Sequence, residues 1–181
     1  MVSKKPRTVL YRRKREQKTD YGQRLKLLLA RKPRLVVRIT NQKIIAQIVE
    51  YISSGDKVIV GMDSSQLKGY GWNYSQKNFP AAYLSGLLIG KKAKENNCSE
   101  AILDIGFRTP QKKGKIYALL KGVIDAGLNV PHGDKEIFPS EDKISGKDIQ
   151  EYAVKLLKED KSVYEQRFAK YLKDKSVPEQ I

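Results

Sequence analysis

Arg34-Leu-Val-Val-Arg-Ile-Thr40, Lys43-Ile-Ile-Ala-Gln-Ile-Val-Glu-Tyr51 and Lys57-Val-Ile-Val-Gly-Met62 follow one another with only Asn41-Gln42 and Ser53-Ser-Gly-Asp56 as clear breaks. In the first of these, Leu35, Val37 and Ile39 alternate with Arg34, Val36 and Arg38, so one face is apolar and the other carries charge. Alternation with that period, in segments rich in β-branched residues and bounded by turn residues, predicts strands. Connections this short allow only antiparallel neighbours, so the three segments form a meander.

Working outward toward the C-terminus, the period changes from two to helical. Asn78 can cap a helix starting near Pro80, with Leu84, Leu87, Leu88 and Lys91 at helical spacing and Asn96-Asn97 at its end. Ala101-Ile-Leu-Asp-Ile105 reads as a buried strand. Ile116, Leu119, Leu120, Val123 and Ile124 mark a second amphipathic helix, with Gly127 as a left-handed cap, and Leu128-Asn-Val130 reads as a final edge strand stopped by Pro131. A strand, a crossover helix and a strand imply parallel addition to the sheet. The expected fold class is therefore α/β: a mixed sheet led by a three-strand antiparallel meander, with packed helices. That order of elements is similar to the ribonuclease H-like arrangement. Beyond it, Ser145 with Asp148 and Ser162 with Glu165 are expected to open two more amphipathic helices. The expected division is a basic extension with a short helix over 1–33, an α/β body over 34–137 and a C-terminal helical extension over 138–181.

Working outward toward the N-terminus, charge replaces pattern. The chain carries 36 Lys and Arg against 20 Asp and Glu, a formal net charge of +16. Residues 1–34 hold 13 of those cations and two acids, Glu16 and Asp20, so a net +11 sits on the first 34 residues and only +5 on the remaining 147. Such a segment buries too little surface to offset its chain entropy, and the first 18 residues are expected to be disordered until a polyanion orders them. Neutralised phosphates release condensed counterions, which drives affinity without reading sequence. A solvated tail or a localisation signal is the plain alternative, but the basic run continues into a helix. That helix is expected to start at Asp20, with Gln23 completing the cap, to dock through Leu25, Leu28 and Leu29, and to end at Pro33. The candidate RNA contacts of this region are Lys4, Lys5, Arg7, Tyr11, Arg12, Arg13, Lys14, Arg15, Lys18, Arg24, Lys26, Arg31 and Arg34.

Two loops extend the candidate surface. Residues 64–79 contain no acid, and Tyr70, Trp72 and Tyr74 alternate there with small or polar residues between Lys68 and Lys77. Rings of this kind either stack on unpaired bases or fold back as a lid over the core, and both readings stand. Arg108-Thr-Pro-Gln-Lys-Lys-Gly-Lys115 leads into a helix start, where Lys112, Lys113 and Lys115 lie beside backbone N–H groups that attract anions. Lys68, Tyr70, Trp72, Arg108, Lys112, Lys113 and Lys115 join the candidate RNA contacts.

Other classes are disfavoured by inventory. No run approaches the roughly 18 apolar residues of a membrane span, and no apolar stretch follows the basic N-terminus as in a signal peptide. One cysteine, Cys98, and one histidine, His132, leave no zinc cluster, and a lone cysteine fits a reducing compartment. A metal-dependent nuclease of ribonuclease H-like fold needs several converging carboxylates. The first strand offers Arg34 and Arg38 instead, Asp63 and Asp104 lack an evident partner, and no phosphate-cradling glycine loop is present. A basic DNA-binding module is a further alternative. No catalytic residue, metal, cofactor or small-molecule substrate is expected.

Several longer stretches resemble a known family. Tyr11-Arg-Arg-Lys-Arg-Glu-Gln-Lys-Thr-Asp-Tyr21, Val37-Arg-Ile-Thr-Asn-Gln-Lys-Ile-Ile-Ala-Gln-Ile48, Tyr70-Gly-Trp72 and Ala81-Ala-Tyr-Leu-Ser-Gly-Leu-Leu88 resemble segments of the universal large-subunit ribosomal protein family called L-eighteen in archaea and bacteria and L-five in eukaryotes. Leu103-Asp-Ile-Gly106, Ala118-Leu-Leu-Lys-Gly-Val-Ile-Asp-Ala-Gly-Leu-Asn-Val-Pro-His132 and Gly146-Lys-Asp-Ile-Gln-Glu-Tyr-Ala153 are similar to its archaeal form. The resemblance runs from about residue 5 to 172. It implies a cytoplasmic, non-catalytic scaffold of the large subunit that binds 5S ribosomal RNA. It further implies anchoring to the large ribosomal RNA in the central protuberance, beside a neighbouring 5S-binding ribosomal protein. In that family the basic N-terminal segment and basic loops face RNA, which points to Arg12, Arg13, Lys14, Arg15, Lys18, Arg24 and the loop lysines.

Overall fold

The computed structural model describes residues 9–173. Arg34–Ile39 (β1), Ile44–Ile52 (β2) and Gly55–Asp63 (β3) form the expected meander, and Ile102–Asp104 (β4) adds parallel to β1, giving the order β3-β2-β1-β4. Strand alternation puts Leu35, Val37, Ile44, Ala46 and Ile48 in the core. Between Ile48 and Val49 the pairing with β3 slips by one residue at Ile59. The bulge keeps Val60 and Met62 inward while Val58, opposite Val49, faces the other side.

Two long helices cover the inner face. Phe79–Glu95 (α3) starts at Asn78, whose side chain accepts from the Ala81 N–H, and Lys115–Asp125 (α4) is followed by Gly127 at φ +89. The buried face of α3 is not the leucine row expected from the spacing. Ala82, Ser85, Gly86, Ile89 and Ala93 point inward, and Leu84, Leu87 and Leu88 are only half-buried. The reason is the close crossing with α4. A Cβ on Gly86 would stand 2.1 Å from the Leu119 carbonyl oxygen, and one on Gly122 would stand 2.2 Å from that of Tyr83. Small residues let the two backbones meet, and the large side chains are pushed to the flanks. Fully buried Leu35, Ile48, Ile89, Leu119 and Leu120 each contribute about 1.5–3 kcal/mol to this core.

Other elements also differ from expectation. Leu128–Val130 is not a full strand: a single bridge pairs Glu100 with Asn129. The C-terminal helices are Glu141–Ser145 (α5), Lys147–Glu159 (α6) and Lys161–Lys173 (α7). Gly146, at φ +88, joins α5 to α6, so Ser145 ends a helix instead of opening one. Asp160, not Ser162, caps α7, accepting from the N–H groups of Ser162 and Val163. Tyr164, Phe168 and Ala153 form a small second hydrophobic cluster with Ile149, Leu156 and Tyr171 packed against it.

The described part of the N-terminal extension holds two helical segments. Arg12–Arg15 (α1) is one helical turn, and Tyr21–Leu29 (α2) follows. A lone turn is unstable by itself. Here Arg13 donates to the Thr19 hydroxyl at 2.8 Å, and the Tyr11 and Tyr21 rings meet at 5.4 Å. Over Val9–Lys18 the chain thus has a defined conformation available without RNA, and residues 1–8 lie outside the described residues. Asp20 caps α2 as expected, accepting from Gly22 and Gln23. The helix ends at Leu29, before Arg31 at φ +52, and does not run to Pro33.

Candidate nucleic-acid interface

The four cations of α1 project from one turn, and all are exposed. Glu16 takes up part of that charge, lying 3.6 Å from Arg12 and 2.8 Å from Lys18. Lys14 and Arg15 make no ion pair among the described residues. Acid-free, solvent-facing cations on a single turn can meet successive phosphates without first losing an internal partner. Tyr11, 74% exposed, stands beside them. Lys4, Lys5 and Arg7 lie outside the described residues.

The next two candidates are corrected by their surroundings. Arg24 donates both guanidinium nitrogens to Asp56 at 2.7 Å each. Arg34 is only 3% exposed and bridges Asp56 and Asp104, at 2.7 Å to each. Arg38 closes the chain, donating to the Asp104 carboxylate at 3.1 Å and to the Asp104 and Val37 carbonyls at 2.8 Å. The result is an alternating line of charge from α2 through the start of β3 to β1 and β4. Arg24 holds the Asp56 carboxyl below its ordinary value against the effect of burial, with Arg34 adding to the shift, and hydrogen bonding to Asp56 raises the Arg24 guanidinium. Both candidate arginines are therefore committed to carboxylates. Arg34 is also buried, which places it out of reach of a phosphate.

The same ion pair explains how α2 sits on the sheet. The expected leucine docking is corrected too: α2 buries no residue completely, and Leu25 and Leu29 are 61% and 73% exposed. Leu27, with Arg24, faces Val36, Val49 and Val58 across a cleft of about 320 Å³ on the outer face of the sheet. Lys26 and Arg31, on the rest of this segment, are exposed.

The rings of the aromatic loop differ in their surroundings. Ser64–Tyr70 is a 3₁₀ turn that carries exposed Lys68 and leaves Tyr70 71% exposed. Trp72 is half-buried, donates its indole N–H to the Ser75 carbonyl at 3.2 Å and packs edge-on against Tyr74. Tyr74 in turn tilts against Tyr171 of α7 at 5.8 Å. Trp72 and Tyr74 thus serve internal packing, and Tyr70 keeps a free face.

The basic loop before α4 leaves Lys112 and Lys113 exposed, with Lys113 at φ +58. Arg108 bends back to donate to the Ile39 carbonyl, and half-buried Lys115 lies over the Phe79 ring, 5.7 Å from its centroid. Burial, and then the nearby charge of Lys77, push the Lys115 ammonium below its usual value. The sequence reading had placed Lys77 only beside the aromatic loop. Its position directly before the Asn78 cap, like that of the basic loop before α4, was the signal that could have found it.

Asp104, Asp63, His132 and Cys98 are engaged locally. Asp104 is held by Arg34, Arg38 and the Gly106 N–H. Lys43, at 2.7 Å, and Ser65 hold Asp63 below its ordinary value. His132 hydrogen-bonds the Val130 carbonyl at 2.8 Å, and Cys98 is buried at the end of α3, with its thiol raised by that burial. Among the described residues, no three His, Cys, Asp or Glu side chains cluster as a metal site.

Comparison with known proteins adds a family to this geometry. Residues 6–99 match the family described as ribosomal large subunit proteins 60S L5, and 50S L18, a span that takes in the basic arm, the meander and α3. Over 174 residues the chain is 50% identical to the large ribosomal subunit protein uL18 of Korarchaeum cryptofilum (strain OPF8), covering 96% of this chain and 87% of that protein.

Proposed function

Because the chain belongs to the family of ribosomal large subunit proteins 60S L5 and 50S L18, a structural component of the large ribosomal subunit in the cytoplasm, we propose that it binds 5S ribosomal RNA. In this reading it anchors that RNA to the large ribosomal RNA in the central protuberance, beside a neighbouring 5S-binding protein. The arm over 1–33 supplies phosphate contacts, the body over 34–137 holds it in place, and the extension over 138–181 packs α6 and α7 together through Ala153, Tyr164 and Phe168.

One observation carries the reading: the Arg12–Arg15 turn presents four exposed cations, and three of them, Arg13, Lys14 and Arg15, have no acid partner among the described residues. Lys18, Lys26, Arg31, Lys68, Tyr70, Lys112 and Lys113 extend the same chemistry, and Arg108 and Lys115 stand where a phosphate could reach the start of α4. The nuclease alternative fits less well, because the carboxylates it would use, Asp63 and Asp104, are already bonded to Lys43, Arg34 and Arg38.

The test is a salt-dependent titration of the full chain against 5S ribosomal RNA, with transfer RNA as competitor. Tight binding that survives the competitor is expected. Binding that transfer RNA abolishes would reduce the protein in isolation to a generic polycation. Divalent-metal-dependent cleavage of the RNA that disappears in Asp104→Ala would favour the nuclease.

A further inference from the structure

Three cations from different parts of the chain meet at one cavity. Lys77 precedes α3, Arg108 follows β4 and Lys115 opens α4, and together with Ile39, Phe79 and Ile116 they line a space of about 470 Å³. The cavity lies outside the carboxyl ends of the parallel pair β1 and β4, the position where α/β sheets most often take ligands. Its volume falls within the roughly 300–1,000 Å³ of small-ligand pockets.

The charge of this cavity is fixed in place but not neutralised. Lys77 donates to the Asn41 carbonyl at 3.2 Å, and Arg108 donates to the Ile39 carbonyl. Lys115 has the face of Phe79. Among the described residues no carboxylate lines the space. Elsewhere the protein treats its inward-leaning cations differently: Lys43, Arg24 and Arg34 are each given an aspartate. Carbonyl dipoles orient a cation and leave its net charge standing, so the cations repel one another, and the charge of Lys77 adds to the burial that lowers the Lys115 ammonium. An anion entering the cavity relieves that repulsion. Gly114, at the N-cap of α4, brings no side chain to accept the first N–H groups of the helix, which adds partial positive charge on the same side.

We infer that this cavity is a pocket for a single unpaired RNA nucleotide, with Lys77, Arg108 and Lys115 around its phosphate and Ile39, Phe79 and Ile116 against its sugar and base. The inference rests on the RNA-binding reading above and adds to it a contact separate from the arm. A duplex backbone needs only convex cations. A concave site with apolar walls fits a nucleotide turned out of its stack, the form in which proteins most often recognise RNA specifically.

The test follows backbone amides by NMR in the full chain, titrated with uridine 5′-monophosphate, inorganic phosphate and uridine. Saturable shifts at Gly114, Lys115 and Ile116 are expected with the monophosphate, weaker ones with phosphate and none with uridine. Lys77→Gln combined with Lys115→Gln should weaken the monophosphate by about tenfold or more, as expected for lost charge-assisted hydrogen bonds. Arg108→Gln, in the exposed loop, should weaken it in the same direction without touching the core. Lys14→Gln with Arg15→Gln should leave it unchanged. Shifts confined to the arm, or an unaltered affinity in both pocket variants, would overturn the pocket. Equal affinity for inorganic phosphate would overturn the nucleotide assignment. Adding 5S ribosomal RNA to the same sample separates the two readings. Pocket shifts with the monophosphate but no 5S binding would sink the functional proposal and spare the pocket, and 5S binding with silent pocket amides would do the reverse.

Discussion

At Arg34 the strand alternation assigns a cation to the face away from the core, and the tertiary fold then closes over it. With 3% of its surface exposed, Arg34 is paired with Asp56 and Asp104, each at 2.7 Å. Its Nε is buried with no hydrogen-bond partner, so the guanidinium is tolerated only through those two carboxylates. Removing one partner of a buried pair leaves the other charge stranded, which costs about 3–5 kcal/mol, whereas replacing both by apolar residues is often neutral. Asp104→Ala is therefore expected to lower unfolding stability by about that amount, and Arg34→Met combined with Asp104→Leu to recover most of it. Urea unfolding of the two variants checks this. A single variant as stable as the parent would mean that Asp56 alone satisfies Arg34. The same two carboxylates account for a limit of the sequence reading: strand alternation placed Arg34 outward correctly, but nothing local to it announced the partners that take its charge.

Helix α2 shows the same logic one level up. Its cap was legible, because Asp20 satisfies the N–H groups of its own next residues. Its docking was not, because the leucine row suggested burial, and the helix is instead tethered through Arg24 and Asp56. Since the folded Asp56 carboxyl titrates below its ordinary value of 3.8, the tether is fully present above about pH 4 and is lost as pH falls through the folded value. The expected outcome is that amides of Tyr21–Leu29 lose hydrogen-exchange protection at acid pH while β1 and β2 retain theirs. Asp56→Asn should produce the same release at neutral pH. Protection of α2 that persists in that variant would show Leu27 and Leu28 to be sufficient anchors. A tether of one partly exposed ion pair is worth on the order of 1 kcal/mol, small beside the core beneath it and in keeping with an arm that can adjust to its RNA.

For the whole molecule, the charge is divided between cations that stabilise the fold and cations that remain free. Arg13, Lys14 and Arg15 of the α1 turn belong to the second group among the described residues, and Arg12 meets only Glu16, so replacing all four by Gln should weaken RNA binding and reduce the salt slope by at most about four ion equivalents. An unchanged slope would move the contact elsewhere, with the α4-entry pocket the next place to look. The sequence alone determined the order of the elements from α2 to α4, the meander, the caps at Asp20, Asn78 and Gly127, and the concentration of positive charge before residue 35, because periodicity, capping and composition are local properties. It also carried the family resemblance. Tertiary structure alone decided that Gly86 and Ser85, not the leucines, form the buried face of α3. It also decided that Arg24 and Arg34 are engaged while Lys14 and Arg15 are free, and that Lys77, Arg108 and Lys115 share one cavity. Those outcomes depend on contacts between residues distant in the chain, such as Arg34 with Asp104, 70 positions away, and no local pattern records which distant carboxylate or backbone will arrive.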